Sequence, residues 1–125
     1  KINGKYLMSF INIFILIFEN ACKRRKNKES IKIVITTSLV GENLSIEISN
    51  KSSTIDKEVI NKVNSDINDI SKLDNANKEI NSGIYKVKKH LEIDISAKNN
   101  IYIQSSGDEF IFNIDIDTLS IFSGV

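Results

Sequence analysis

Two segments of the chain place polar residues at the ends of apolar ones: ILIFENACK at residues 15–23 and SGIYKVKK at residues 82–89. The first ends a very apolar predicted helix with an acid, an amide and a cation, which are Glu19, Asn20 and Lys23. The second puts a glycine at the start of another predicted helix. An amide oxygen is a suitable ligand for Mg²⁺, and the free N–H groups of a helix N-terminus attract phosphate. Together the two segments predict a domain that holds a magnesium triphosphate.

Length and composition favour a single globular domain. A chain of 125 residues suits one hydrophobic core, and 41% hydrophobic with 26% charged residues is typical of folded proteins. A net charge of +1 produces no strong electrostatic attraction to nucleic acid, so no nucleic-acid partner is expected. Cys22 is the only cysteine, which excludes a disulfide framework within one chain. We treat residues 1–125 as one domain and expect it to be a fragment of a longer chain, truncated at the N-terminus, because neither end carries a boundary signal.

Apolar periodicity predicts three helices. Residues 7–25 are apolar nearly all round, as in a helix covered on every side. Residues 55–73 carry apolar side chains at helical spacing, and Ser52–Thr54 offer an N-cap. Residues 83–92 form the third helix, and the polar residues 74–81 before it are predicted to be a loop.

Four strands complete the predicted fold. Residues 31–35 and 44–48 form a hairpin around Gly41, and residues 101–104 and 110–116 form a second hairpin around Gly107. Hairpins with helices packed against them make an α+β fold. We therefore expect a two-layer sandwich, with a mixed sheet and the helices on one face.

The apolar stretch 6–18 raises the alternative of a membrane anchor. It has thirteen residues and includes Ser9 and Asn12, whereas a membrane span needs about 20 apolar residues. A buried helix is therefore the favoured interpretation. A membrane-anchored protein that uses residues 6–18 as part of a span is a less favoured alternative.

The order of these elements and the two segments resemble the ATP-binding domain of sensor histidine kinases, a member of the GHKL superfamily with the Bergerat fold. The resemblance extends from about residue 7 to residue 117. Residues 18–23, FENACK, are similar to the N box, in which the resemblance assigns Asn20 to Mg²⁺ and Lys23 to phosphate. Glu19 would orient a water molecule or polarise the attacking group. The alternative for this segment is a helix that becomes polar as it leaves the core.

Two further segments resemble the glycine boxes of the family. Asn50 ends a strand where the G1 box has an aspartate that accepts from adenine, and its side-chain carbonyl could accept the same bond. Ser52 and Ser53 replace the glycines that usually follow, and the alternative is that Asn50 merely ends a strand. Residues 81–89, NSGIYKVKK, resemble the G2 box, which implies nucleotide contacts at Ser82, Gly83 and Ile84. The alternative is an ordinary helix start with Ser82 as its cap.

The resemblance implies a domain that binds ATP and Mg²⁺ and transfers phosphate to a histidine on another domain. The implied partners are ATP and either a histidine-containing dimerisation domain or a response regulator. The implied location is the cytoplasm, with a membrane reached only through absent parts of the chain. His90, the only histidine, is expected to pack rather than to carry phosphate. The alternative function is a degenerate GHKL pseudo-ATPase that acts as a regulatory or interaction module, which the glycine losses favour.

Overall fold

The structure, a computed structural model, describes residues 4–24, 30–69, 71 and 82–120 of the chain. Its helices are α1 (Leu7–Arg24), α2 (Lys57–Ile67) and α3 (Ser82–Lys89). Its strands are β1 (Ile33–Val40), β2 (Asn43–Lys51), β3 (Asn99–Ser106) and β4 (Glu109–Asp117). A π-helical turn, His90–Asp94, follows α3, and short 3₁₀ turns lie at Gly4–Tyr6 and Thr118–Ser120.

The four strands form one sheet in the order β1-β2-β4-β3. The predicted α+β two-layer sandwich is confirmed, but the expected mixed pairing is wrong for the described strands. All three neighbouring pairs are antiparallel. Two of these pairs are hairpins, which must be antiparallel. The connection through α2 and α3 leads from β2 to β3, and β4 then turns back from β3 to lie beside β2 in the opposite direction.

Both hairpin turns depend on a glycine in the left-handed region. Gly41 has a φ of 60° and Gly107 a φ of 61°. In each hairpin two residues separate the paired strands, because Val40 pairs with Asn43 and Ser106 pairs with Glu109. A two-residue turn with a positive φ at its first position favours glycine, so both predicted turns are confirmed.

The core lies on one face of the sheet. The strand register aligns Ile48, Phe112 and Ile103 in one row and Ile46, Ile114 and Ile101 in the next. All six are buried, and they form one cluster with residues of every helix. The helical members of that cluster are Ile13, Ile17, Ile60, Val63, Ile67, Ile84, Tyr85, Val87 and Leu91. On the opposite face Glu47 and Gln104 are exposed, so the helices cover one side as predicted.

The prediction that α1 is buried all round is wrong. Its buried residues recur every fourth position, at Ile13, Ile17 and Ala21. The outer side chains Leu7, Met8, Ile11, Ile15 and Phe18 are exposed. A four-stranded sheet covers only one face of a helix, and no other described element covers the outer face of α1. Gly4–Lys23 is long and apolar enough to cross a membrane by length and composition, and 17% of that stretch is buried within the fold.

The boundaries of α2 also differ from the prediction. The N-cap is Asp56, whose carboxylate accepts from the Glu58 N–H at 3.0 Å, rather than a residue of 52–54. Ser52 is buried instead, and its N–H donates to the Asp108 carbonyl at 2.7 Å, which ties the end of β2 to the second hairpin turn. The helix ends at Ile67, six residues before the predicted end at 73. The whole of the predicted loop, residues 74–81, lies outside the described residues.

Candidate functional site

Residues 15–23 and residues 82–89 lie on neighbouring helices, α1 and α3. α3 begins against α1, and a Cβ placed on Gly83 would lie 4.0 Å from the backbone carbonyl oxygen of Leu16. Asn20 follows Leu16 by four residues, which is one helical turn, or about 6 Å along the axis. The structure therefore brings the start of α3 close to the turn of α1 that carries the amide.

The candidate residues of α1 lie where the helix leaves the core. Ala21 is buried, Asn20 is half-buried, and Glu19 and Lys23 are exposed. Because Glu19 and Lys23 are four residues apart, they share one face of the helix. No group of three or more His, Cys, Asp or Glu side chains in the described ranges could hold a metal ion. A magnesium ion at this site would therefore depend on Asn20 and on the oxygens of its own ligand.

At the start of α3 the structure separates residues that the sequence grouped together. Ser82 is the first residue of the helix, Gly83 is half-buried, and Ile84 is 2% exposed. The side chain of Ile84 belongs to the core, so any contact with a ligand would use its backbone. A Cβ built on Gly83 would meet no atom of another element nearer than 4.0 Å, and Gly83 has no positive φ. The fold itself therefore does not require glycine at this position.

Asn50 lies near the end of β2 and is 6% exposed. Its side-chain N–H donates to the Lys51 carbonyl at 3.1 Å. A cavity of about 240 Å³ beside it is lined by Lys32, Val34, Ser49, Asn50, Lys51, Asp108 and Glu109. None of these residues belongs to α1 or α3. This cavity therefore does not join Asn50 to Asn20 and Gly83, and the adenine contact of Asn50 stays a prediction.

A larger cavity, of about 400 Å³, lies at the opposite end of the sheet. Its lining includes Glu42, Asp115 and Asp117 with Lys98 as the one cation. This end of β2 lies about 23 Å from Asn50, at roughly 3.3 Å per strand residue. Three carboxylates would repel a triphosphate, so we do not assign nucleotide binding to this cavity although it is the larger one.

Sequence reasoning missed a buried cation on α3. Lys88 is 2% exposed, forms an ion pair with Glu92 at 3.0 Å and donates to the Asn99 side-chain oxygen at 2.7 Å. The signal was present, because Lys88 lies on the same stripe as Ile84 and Leu91, the inner face of the helix. His90 is half-buried, and its ring Nδ1 pairs with the Asp94 carboxylate one turn further on rather than packing in the core.

The fold is similar to that of solved structures of histidine kinases. The catalytic domain of histidine kinase ThkA aligns with a TM-score of 0.62 at 17% identity, over 89% of this chain and 66% of that one. The Acinetobacter baumannii histidine kinase AdeS aligns with a TM-score of 0.57 at 17% identity, over 89% of this chain and 46% of that one. The chain has the GHKL fold of histidine kinase catalytic domains.

Sequence comparison points the same way. The GHKL-fold chain is 26% identical over 127 aligned positions to the Detocs histidine-protein kinase DtcA of Enterobacter cloacae (strain JD6301). The alignment covers 90% of this chain and 10% of the kinase, so the chain spans about a tenth of the length of the curated relative it matches. No protein-family model matches the chain. The suspected resemblance to the GHKL superfamily is confirmed at the level of the fold.

Proposed function

We propose that this chain is the ATP-binding part of a histidine kinase-type phosphotransferase and that it binds Mg-ATP between α1 and α3. The observation that supports this most strongly is the approach of Gly83 to the backbone of α1 one turn before Asn20. The start of α3 therefore lies about one turn of α1 from Asn20, and in the proposal its N–H groups act together with the Asn20 amide and the Lys23 cation. These are the elements that hold a metal-bound triphosphate without any cluster of acidic side chains.

Each residue has a separate role in the proposal. Asn20 contributes a neutral oxygen to Mg²⁺, which spreads the phosphate charge, and Lys23 contacts a phosphate oxygen. Backbone N–H groups at Ser82, Gly83 and Ile84 bind phosphate at the positive end of the α3 dipole. Asn50 accepts from the adenine amino group, and Glu19 orients the attacking group at the phosphate.

The chain by itself would bind nucleotide without completing a phosphoryl transfer. Its only histidine, His90, pairs with Asp94 within the π-helical turn. The acceptor histidine would therefore come from a dimerisation domain of the parent protein, which would pass phosphate to a response regulator. Such a reaction requires ATP on the cytoplasmic side, so we place the domain in the cytoplasm.

Isothermal titration calorimetry with Mg-ATP tests the proposal. We expect saturable binding by the wild-type chain and binding weakened by about 1–3 kcal/mol in Asn20→Ala, the cost of one charge-assisted contact. Asn12→Ala is the matched control, because Asn12 is an exposed asparagine on the same helix. Equal affinities of the wild type and Asn20→Ala would refute the magnesium assignment. A wild-type chain that binds no Mg-ATP would refute the proposed function and favour a regulatory pseudo-ATPase.

A further inference from the structure

The outer edge of the sheet at β3 is occupied by the side chains of Asn64, in α2, and of Asn68, the C-cap residue of that helix. The Asn64 side-chain N–H donates to the Ile103 carbonyl at 2.8 Å, and its oxygen accepts from the Ile103 N–H at 2.7 Å. One turn later, Asn68 makes the same pair of bonds to Ile101. Its N–H donates to the Ile101 carbonyl at 3.0 Å, and its oxygen accepts from the Ile101 N–H at 3.3 Å.

These four bonds use the groups that a further strand would use. β3 is an edge strand, since the sheet order ends with it. The backbone N–H and C=O groups on the free side of an edge strand are the usual point of attachment for an added strand. Asparagine side chains four residues apart on a helix face the same way, and Ile101 and Ile103 are two residues apart on one side of the strand.

We infer that Asn64, Asn68 and Lys88 form a clamp that fixes α2 to the edge of β3 and couples α2 to α3. In this role α2 takes the place of a fifth strand at the edge of β3 and is held in a fixed position against the sheet. The clamp closes the β3 edge to any extended peptide that could otherwise add to it.

Lys88 connects this edge to the helix that carries Gly83. Its ammonium group donates to the Asn68 oxygen at 3.1 Å, so this oxygen is shared between Lys88 and the Ile101 N–H. Its ion pair with Glu92 and its bond to Asn99 hold the ammonium group in place. Lys88 thereby fixes the orientation of the Asn68 amide and ties the end of α2 to the C-terminal end of α3. If the proposed function is correct, Lys88 is a positioning residue for the phosphate end of α3.

Amide hydrogen exchange measured by NMR without nucleotide tests the clamp independently of ATP binding. In the wild-type chain we expect the side-chain N–H groups of Asn64 and Asn68 to exchange slowly. Asn61 is exposed on the same helix, and its side-chain amide should exchange as a free asparagine does. Exchange of the Asn64 and Asn68 amides as fast as that of Asn61 would overturn the inference without any variant.

A variant pair provides the second test. Asn64→Leu removes both bonds to Ile103, whereas Asn61→Leu makes the same chemical change at an exposed position. The Ile103 backbone amide should exchange about tenfold faster in Asn64→Leu than in Asn61→Leu, the effect of losing one net hydrogen bond. The Tyr102 amide, which strand alternation points toward β4, serves as the internal reference and should change equally in both variants. Equal Ile103 exchange in the two variants would overturn the clamp, whereas loss of Mg-ATP binding alone would leave it standing.

Discussion

Gly83 faces the backbone carbonyl oxygen of Leu16, and a Cβ at Gly83 would meet that atom at 4.0 Å, an ordinary van der Waals distance. A methyl group therefore fits between α1 and α3 when no ligand is present. Glycine inside a helix is destabilising by about 0.5–1 kcal/mol relative to alanine, so the fold gains nothing from glycine here. In our account the benefit of Gly83 is the close approach of its backbone to phosphate.

Gly83→Ala separates these two roles. We expect the free energy of unfolding to stay within about 1 kcal/mol of the wild type, or to rise, because alanine favours the helix. We expect Mg-ATP affinity to fall, because the methyl group obstructs the phosphates. Urea unfolding and calorimetry on the same protein measure the two effects. Unchanged Mg-ATP affinity would show that phosphate does not approach Gly83.

Lys88→Met tests the buried polar network by stability. The substitution leaves Glu92 without its cation. It also removes the ammonium group that donates to the side-chain oxygens of Asn68 and Asn99. We expect a loss of about 2–4 kcal/mol in the free energy of unfolding, less than for a fully enclosed pair because the Glu92 side chain is 27% exposed. Lys86→Met, at an exposed position of the same helix, should change stability by less than about 0.5 kcal/mol. Equal effects of the two substitutions would contradict a structural role of Lys88.

Shortening a side chain to alanine should lower the free energy of unfolding far more on the covered part of the sheet than on the uncovered part. Phe112 is 2% exposed at the centre of the core, so Phe112→Ala should cost about 3–5 kcal/mol. Leu39 is 60% exposed on the edge strand β1, so Leu39→Ala should stay within about 0.5 kcal/mol. Chemical denaturation compares the two variants. A large loss of stability for Leu39→Ala would mean that β1 is covered by a contact absent from this account.

Asp56→Ala tests the observed start of α2. Loss of the bond from the Glu58 N–H should cost about 1 kcal/mol, the usual effect of removing an N-cap side chain. Thr54→Ala is the control, because Thr54 lies in the segment that the sequence pattern favoured as the cap. Thermal unfolding should rank Asp56→Ala as the less stable variant. The reverse ranking would place the helix start two residues earlier than observed.

Much of the fold could be predicted because the relevant signals are local. Alternation of apolar and polar residues in β2 and in β4 from Phe112 onward, with a glycine in each tight turn, specifies two hairpins without reference to the rest of the chain. The stripe Ile84, Val87 and Leu91 similarly specifies the inner face of α3. By contrast, the exposed face of α1 depends on how wide the sheet is, and an apolar composition alone does not reveal that.

The clamp and the end of α2 could not be predicted for a related reason. Asn64 and Asn68 fall at polar positions of the helix predicted over 55–73, and their bonds to Ile103 and Ile101 exist only once β3 lies beside α2. Lys88 showed a local signal, an ion-pairing residue within an apolar stripe, but its partners on α2 and β3 are set by tertiary packing. The proximity of Gly83 to α1 could be predicted only from the family resemblance. No pattern within residues 15–23 or within residues 82–89 indicates it.

The most direct test of the central claim is a map of amide chemical-shift changes on titration of the chain with Mg-ATP. The account predicts saturable changes at Asn20, Lys23 and residues 82–86, with a further set at Asn50. The acidic cavity at Glu42, Asp115 and Asp117 should stay unchanged, because its carboxylates repel phosphate. Changes confined to that cavity, or no changes at saturating Mg-ATP, would contradict nucleotide binding between α1 and α3.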